Sequence, residues 1–269
     1  MKLFVRRIGQ GTPLIILHGL YGSGDNWLTI ARKLADHHEV ILMDQRNHGH
    51  SAHADEHNYQ VLADDLLETM DDLQLNQSVI LGHSMGGKAA MWFAAGHPSR
   101  IRQLIIADIG PRSYLNAESD DRHSILHRSI LESMLDVDFN RVKGLGDIDR
   151  QLEGRIPEKR LRQFLMKNIE KDEISGFRWK LNLPVLLKNL DNLSAGMEEF
   201  VANGVVVNQF PILFIRGENS DFILQPDREM ISRLFPEATI ETIQHAGHWL
   251  HAEQPDAFLA IVNRQLQKA

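Results

Sequence analysis

Ser84 sits midway between two glycines in Gly82-His83-Ser84-Met85-Gly86. A serine hydroxyl is a poor nucleophile until a base removes its proton, so the pattern gains meaning only from its context. The apolar run Val79–Leu81 precedes it and a helix pattern follows from near Gly87. That is the strand–turn–helix setting of a nucleophile elbow. In so tight a turn, side chains at the two glycines would collide with neighbouring backbone. Glycine there lifts the Ser84 hydroxyl clear of the sheet. The helix that follows aims its free amides and positive dipole end at the same point.

The base expected for Ser84 is His248, in Gln244-His245-Ala246-Gly247-His248-Trp249, between the last strand pattern and the last helix. Gly247 allows a sharp turn before it, and His245, the near competitor, reads as a surface residue. A third member must orient the imidazole and stabilise the imidazolium. Two aspartates compete, Asp108 at the end of the run Leu104–Ala107 and Asp221 after the run Ile212–Ile215. Both strand ends face one rim, where ligand sites of open α/β sheets collect, and spacing does not choose between them. The oxyanion needs donors. His18-Gly19-Leu20-Tyr21-Gly22 follows the first buried run, so the backbone N–H groups of Leu20 and Met85 are the expected pair. Leu20, Tyr21 and Met85 would then wall the acyl pocket.

These residues need a scaffold of alternating strands and helices. Unbroken apolar runs at Pro13–Leu17, Val40–Met43, Val79–Leu81, Leu104–Ala107 and Ile212–Ile215 suit strands buried on both faces of a parallel sheet. A further strand is expected over Thr239–Gln244. Between them Gln60–Leu75 repeats apolar residues at helical spacing, and Ala89–Ala95 is apolar nearly all round, ended by Gly96 and Pro98. From 112 to 207 the alternation stops. Asp120–Leu135 and Glu158–Glu170 read as amphipathic helices with no clear strand between them. The pattern resumes at Phe210 and ends in a helix over Leu250–Leu266. The expected organisation is an α/β core formed by 1–111 and 208–269, a mostly parallel doubly wound sheet, with a helical cap or lid inserted over 112–207.

The chain has 269 residues, 29 Lys plus Arg against 36 Asp plus Glu, and a formal net charge of −7. This acidic balance gives no electrostatic footprint for nucleic acid. No run approaches 18 apolar residues, so no membrane span is expected. With no Cys, disulfides and thiolate chemistry are excluded. The apolar stretch at Met1–Arg7 is too short for a secretory signal, and a cytoplasmic protein is expected. Of the 14 His, His48, His50, His53 and His57 lie close in sequence but match no compact metal-ligand spacing. Neither metal nor cofactor is expected.

Together His18-Gly19-Leu20-Tyr21-Gly22-Ser23, Asp44-Gln45-Arg46-Asn47-His48-Gly49-x-Ser51, Gly82-His83-Ser84-Met85-Gly86-Gly87-Lys88 and Ala246-Gly247-His248-Trp249-Leu250-His251-Ala252-Glu253 occur in the order of the α/β-hydrolase superfamily. The chain most resembles the bacterial YbfF-type esterases, from about Leu3 to Leu266. The resemblance implies a carboxylesterase for short acyl esters, with acyl-CoA thioesters as a further substrate class. It also bears on the acid. In most of the superfamily the acid lies three residues after the glycine ending the late strand, which here is Ser220, with Asp221 one residue late. YbfF-like enzymes carry Ser there and use the Asp after the preceding strand, which favours Asp108.

Several other residues invite function. Lys88 is expected to pair with a neighbouring acid rather than to attract an anionic substrate. Arg112, Arg178 and Trp179 are candidates for the entrance beneath the insert, with packing of the insert against the core an equal alternative for Trp179; Arg178, Trp179 and Tyr21 are the expected substrate contacts. The partner is a small acyl-ester substrate, and the protein a monomer or homodimer. A second reading is a receptor that keeps the hydrolase frame and binds a small apolar ligand with slow or no turnover. The same Ser and His also serve lyases and cofactor-free peroxidases, whereas a dehalogenase would need Asp at position 84.

Overall fold

The computed structural model describes residues 1–114, 122–172 and 176–268. The first half of the core is β1 (Phe4–Ile8), β2 (Thr12–Leu17), α1 (Leu28–Leu34), β3 (His38–Asp44), α2 (Tyr59–Asp72), β4 (Ser78–His83), α3 (Met85–Gly96) and β5 (Ile101–Ala107). The chain then leaves the sheet through α4 (Arg122–Leu135), α5 (Leu145–Glu153), α6 (Lys159–Met166), β6 (Ile169–Asp172), β7 (Gly176–Trp179), α7 (Leu183–Lys188), α8 (Leu190–Ser194) and α9 (Glu198–Ala202). It returns with β8 (Ile212–Gly217), α10 (Gln225–Leu234), β9 (Thr239–Ile243), α11 (Leu250–Glu253) and α12 (Pro255–Leu266).

The main sheet has the order β1-β3-β2-β4-β5-β8-β9. All its pairings are parallel except β1 with β3. The middle of each central strand is apolar because both faces are covered there. Ile15, Leu17, Ile41 and Met43 pack beneath α2, α3 and α10, while Leu14, Ile16, Val40 and Leu42 pack against α1 and α12. A third apolar cluster joins Ile130, Met134, Leu165 and Leu186 of the inserted segment to Tyr21, Met85 and Ala89 of the core. Apolar burial in this third cluster helps to hold the inserted segment against the core.

Three elements differ from the sequence expectation. The strand β1, Phe-Val-Arg-Arg-Ile, lies at the sheet edge with its residues half-buried or exposed, so it lacks the apolar run that marks the other strands. The pattern over Glu158–Glu170 ends as helix at Met166. Ile169 instead begins β6, which pairs antiparallel with β7 through Ile169 opposite Trp179, so the insert is not purely helical. The final helix is two, because Pro255 starts a new helix at its first turn, where its missing N–H costs nothing. Asp120, at the expected start of α4, lies outside the described residues.

Candidate active site

The elbow is built by exclusion of side chains. A Cβ on Gly82 would stand 2.4 Å from the Gly86 carbonyl oxygen, and one on Gly86 would stand 2.5 Å from that of Leu17. Ser84 itself takes φ 52°, ψ −122°, a strained conformation that costs about 1–3 kcal/mol and needs the surroundings to enforce it. Its amide donates to the Ala107 carbonyl at 3.0 Å, extending the β4–β5 register by one residue and fixing where the hydroxyl emerges. Met85 is the first residue of α3, so its amide lies among the helix N–H groups with no intrahelical acceptor.

The structure brings Ser84, His248 and Asp108 together. Ser84 Oγ lies 3.0 Å from His248 Nε2, and His248 Nδ1 lies 2.9 Å from Asp108 Oδ2. With Nδ1–H donating to the carboxylate, Nε2 offers its lone pair to the serine hydroxyl. The Asp108 amide donates to the Ile215 carbonyl at 2.8 Å, carrying the β5–β8 register past the strand end. Its side chain is fully buried. Oδ1 accepts from the Gly217 amide at 2.8 Å, and Oδ2 also accepts a short hydrogen bond from the Ser220 hydroxyl. Burial raises the Asp108 carboxyl above the usual range, and the Ser220 and Gly217 hydrogen bonds pull against it. Burial, then repulsion from His123, lowers His248. The lowering of His248 favours an uncharged imidazole at neutral pH, where Asp108 is still ionised. Asp221 is placed elsewhere, half-exposed, with Oδ2 3.4 Å from His123 Nε2.

Around His248 the loop is held from three sides. Glu253 accepts the amides of Gly247 at 2.7 Å and Trp249 at 3.3 Å. His83 donates Nε2–H to the His248 carbonyl at 2.8 Å. Phe222 stacks on the imidazole with ring centroids 4.0 Å apart. The loop also needs Gly217, where a Cβ would meet the Gly247 carbonyl at 2.4 Å. Gly-Glu-Asn-Ser after β8 and Ala-Gly-His-Trp after β9 are thus two halves of one packed contact. His245 is exposed and takes no part.

The loop bearing Leu20 is braced by the Asp44–Ser51 stretch. His18 Nε2 accepts from the Gln45 amide at 3.0 Å, and the His18 carbonyl accepts from the Gln45 side chain at 2.6 Å. Asp44 accepts the Gly24 and His50 amides at 2.7 and 2.8 Å. Arg46 clamps Asp65 at 2.6 and 2.9 Å. Gly49, at φ 56°, leaves no room for a Cβ against the Asp44 carboxylate. Buried His48 and His57 belong to this brace. Among the described residues no group of three or more His, Asp or Glu could hold a metal ion.

Two cavities meet at Ser84. One, of about 380 Å³, is lined by Tyr21, Ile130, Leu161, Phe164, His248 and Trp249 among others. The other, of about 40 Å³, is lined by Met85, Ile109, Tyr114, Leu190, Leu193 and Phe222 among others. Leu20 lines both. His123 and His127 of α4 reach both cavities; burial lowers His127 to about 4. Their helix is legible in the sequence, but nothing in the pattern aims those two positions at Ser84.

Arg112, Arg178 and Trp179 line neither cavity. Trp179 donates its indole N–H to the Met134 carbonyl at 2.9 Å and packs edge-on to Phe139, which ties the insert together away from both cavities. Arg178 is exposed and pairs with Glu170 at 2.7 Å across the β6–β7 pair. Arg112 is turned to Asp227 at 2.9 Å. Lys88 does not hydrogen-bond an acid. Fully buried, it donates to the carbonyls of Arg112 at 2.8 Å and Ala195 at 2.9 Å, over the Tyr114 ring. Burial lowers it to about 7. It joins α3 to both ends of the insert.

A family described as alpha/beta hydrolase fold matches residues 12–255. The chain belongs to the α/β-hydrolase family. It is 35% identical over 257 residues to Esterase YbfF of Escherichia coli, covering 96% of this chain and 94% of that one. It is 33% identical over 261 residues to the sn-1-specific diacylglycerol lipase ABHD11 of Danio rerio, covering 96% and 80%. A solved structure titled marine microorganism esterase superposes with a TM-score of 0.91 at 44% identity, covering 98% of each chain. The resemblance to YbfF-type esterases therefore holds, and the chain is a hydrolase of the esterase/lipase type. Among the described residues no helix is long and apolar enough to cross a membrane.

Proposed function

We propose that the chain is a serine carboxylesterase for short-chain acyl esters, acting through a Ser84–His248–Asp108 triad and an acyl-enzyme. The observation that carries the reading is the continuous relay from Ser84 Oγ through His248 to Asp108 Oδ2, at 3.0 and 2.9 Å. His248 takes the hydroxyl proton as Ser84 attacks the ester carbonyl. The backbone N–H groups of Leu20 and Met85 receive the oxyanion, each worth about 3 kcal/mol in the transition state. His248 then gives its proton to the departing alkoxide, and water repeats the cycle to release the acid. Asp108, buried and fixed by three donors, keeps the productive tautomer and balances the imidazolium. The 112–207 segment acts as a cap over the cleft, and thioesters of the same acids enter by the same route. A cytoplasmic setting is part of this proposal.

The test is Ser84→Ala against p-nitrophenyl butyrate. Loss of turnover to near background is expected, while unchanged turnover would end the reading. A single stoichiometric burst without steady-state turnover in the native protein would instead favour the receptor reading.

A further inference from the structure

The two cavities at Ser84 differ about tenfold in volume, and the chemistry of ester cleavage decides which half of the substrate each receives. In the tetrahedral intermediate four groups surround the former carbonyl carbon. Ser84 Oγ is one, and the oxyanion, held toward Leu20 and Met85, is another. The leaving oxygen must face His248 Nε2, because the proton taken from Ser84 passes to it as its bond to carbon breaks. His248 and Trp249 line the large cavity and are absent from the lining of the small one. The acyl chain is left with the remaining direction, under Met85 and Ile109 into the small cavity.

We infer that this enzyme is selective for small acyl groups, acetyl to butyryl, esterified to a large uncharged apolar alcohol. The inference rests on the serine-hydrolase reading above and adds to it the large, apolar character of the alcohol side. About 10–15 Å³ of such a cavity holds one water-sized group, so 40 Å³ accepts about three heavy atoms, the alkyl part of a butyryl group. The buried side chains of Leu190 and Leu193 close its far side. The large cavity, about 380 Å³, falls within the span of whole-ligand sites. Its walls include Leu126, Ile130, Leu161, Phe164 and Trp249, and its charged lining residues are Glu158 and Asp221, with no Lys or Arg among the described residues. That lining suits an apolar alcohol and opposes a polyanionic leaving group such as coenzyme A.

Two substrate series test this, each with Ser84→Ala as the blank. In p-nitrophenyl esters, kcat/KM is expected to fall at least tenfold from butyrate to octanoate. In alkyl acetates from ethyl to octyl it is expected to rise about fourfold for each methylene until the cavity fills. Leu193→Ala, which enlarges the small cavity, should raise octanoate turnover relative to butyrate. S-hexyl thioacetate should exceed acetyl-CoA at least tenfold. Ser84-dependent turnover that favours octanoate, stays flat across the alkyl acetates, or runs as fast on acetyl-CoA would overturn this assignment and leave the hydrolase reading standing. No Ser84-dependent turnover in either series would overturn both. The native series decide the matter whether or not the variant folds.

Discussion

Replacing Asp108 by Asn, with Asp221→Asn as the matched control, separates the two candidate acids. Asn fills the same buried volume and its oxygen can still accept the Gly217 amide, so the fold should persist. Two things change. The carboxylate that faces the imidazolium at 2.9 Å disappears, and the amide nitrogen can only donate toward Nδ1, which forces the proton onto Nε2 and blocks it as a base. A charge pair near 4 Å is worth about 4 kcal/mol at an effective dielectric constant of 20, which is about a thousandfold in rate. The inverted tautomer adds to that, so kcat should drop about 10³–10⁴-fold with KM little changed. Asp221 is half-exposed and pairs with His123 rather than His248. With its carboxylate placed on His123 and not on His248, Asp221→Asn should lose no more than about fivefold. The assay is steady-state hydrolysis of p-nitrophenyl butyrate on protein checked by thermal melting. An Asp108→Asn variant within tenfold of the native enzyme, or an Asp221→Asn variant more than a hundredfold impaired, would refute the relay described here.

Other perturbations test separate parts of the structure. Ser220→Ala removes one of three donors to Asp108; the carboxylate becomes more basic and holds the imidazolium more strongly, so the acid limb of kcat/KM should move to higher pH, and an unmoved pH profile would contradict that role. In the native enzyme burial lowers His248, which puts this limb below the ordinary imidazole value of about 6.5; a midpoint at or above 7 would show the shift to be absent. Burial also lowers His57 and His83 to about 3 and His127 to about 4. The unfolded chain therefore binds protons first: this contribution to stability is complete above pH 6.5 and shrinks on acidification, by up to about 1.4 kcal/mol per pH unit per histidine. Urea midpoints at pH 7.5, 6 and 5 should fall in that order, and equal midpoints would count against it. Arg178→Ala and Trp179→Phe should each leave kcat/KM within threefold, with Trp179→Phe costing about 1 kcal/mol in a urea melt through the lost bond to Met134; a tenfold fall in kcat/KM would restore them to the substrate path.

What the sequence displays and what it conceals follow from the same physics. Stretches of strand covered on both faces must be apolar, so β2 to β5 and β8 announce themselves. An edge strand escapes that demand, and β1 reads as Phe-Val-Arg-Arg-Ile. The elbow is visible because only glycine fits beside backbone at 2.4–2.5 Å. Tyr21, Ser84 and Asp108 all adopt positive φ, and nothing in their residue types warns of it, since that strain is imposed by neighbours far along the chain. Trp179 and Arg178 are ambiguous in the sequence for a related reason. An aromatic and a cation near a cleft suit a ligand as well as they suit a strand pair in the insert, and only the partner atoms, the Met134 carbonyl and Glu170, distinguish the two. His123 and His127 face Ser84 because of where α4 docks, which depends on contacts between residues more than 100 positions apart, such as Tyr21 with His127.

The position of the acid shows how a sheet tolerates change at its rim. Neighbouring strands lie about 4.8 Å apart, so a carboxylate at the end of β5 and one in the loop after β8 can address the same imidazole nitrogen. Here the β5 end supplies it, and the hydroxyl of Ser220, from the β8 loop, bonds to it. The two sites are therefore occupied as one unit: the Asp108 amide reaches the Ile215 carbonyl, the Gly217 amide reaches Oδ1, and Ser220 reaches Oδ2. An Asp at position 220 would meet the carboxylate of Asp108 with like charge in a site from which water is excluded, and one of the two would have to stay protonated. Ser at 220 and Asp at 108 are thus a coupled choice, and restoring the β8-loop acid requires changing both residues together.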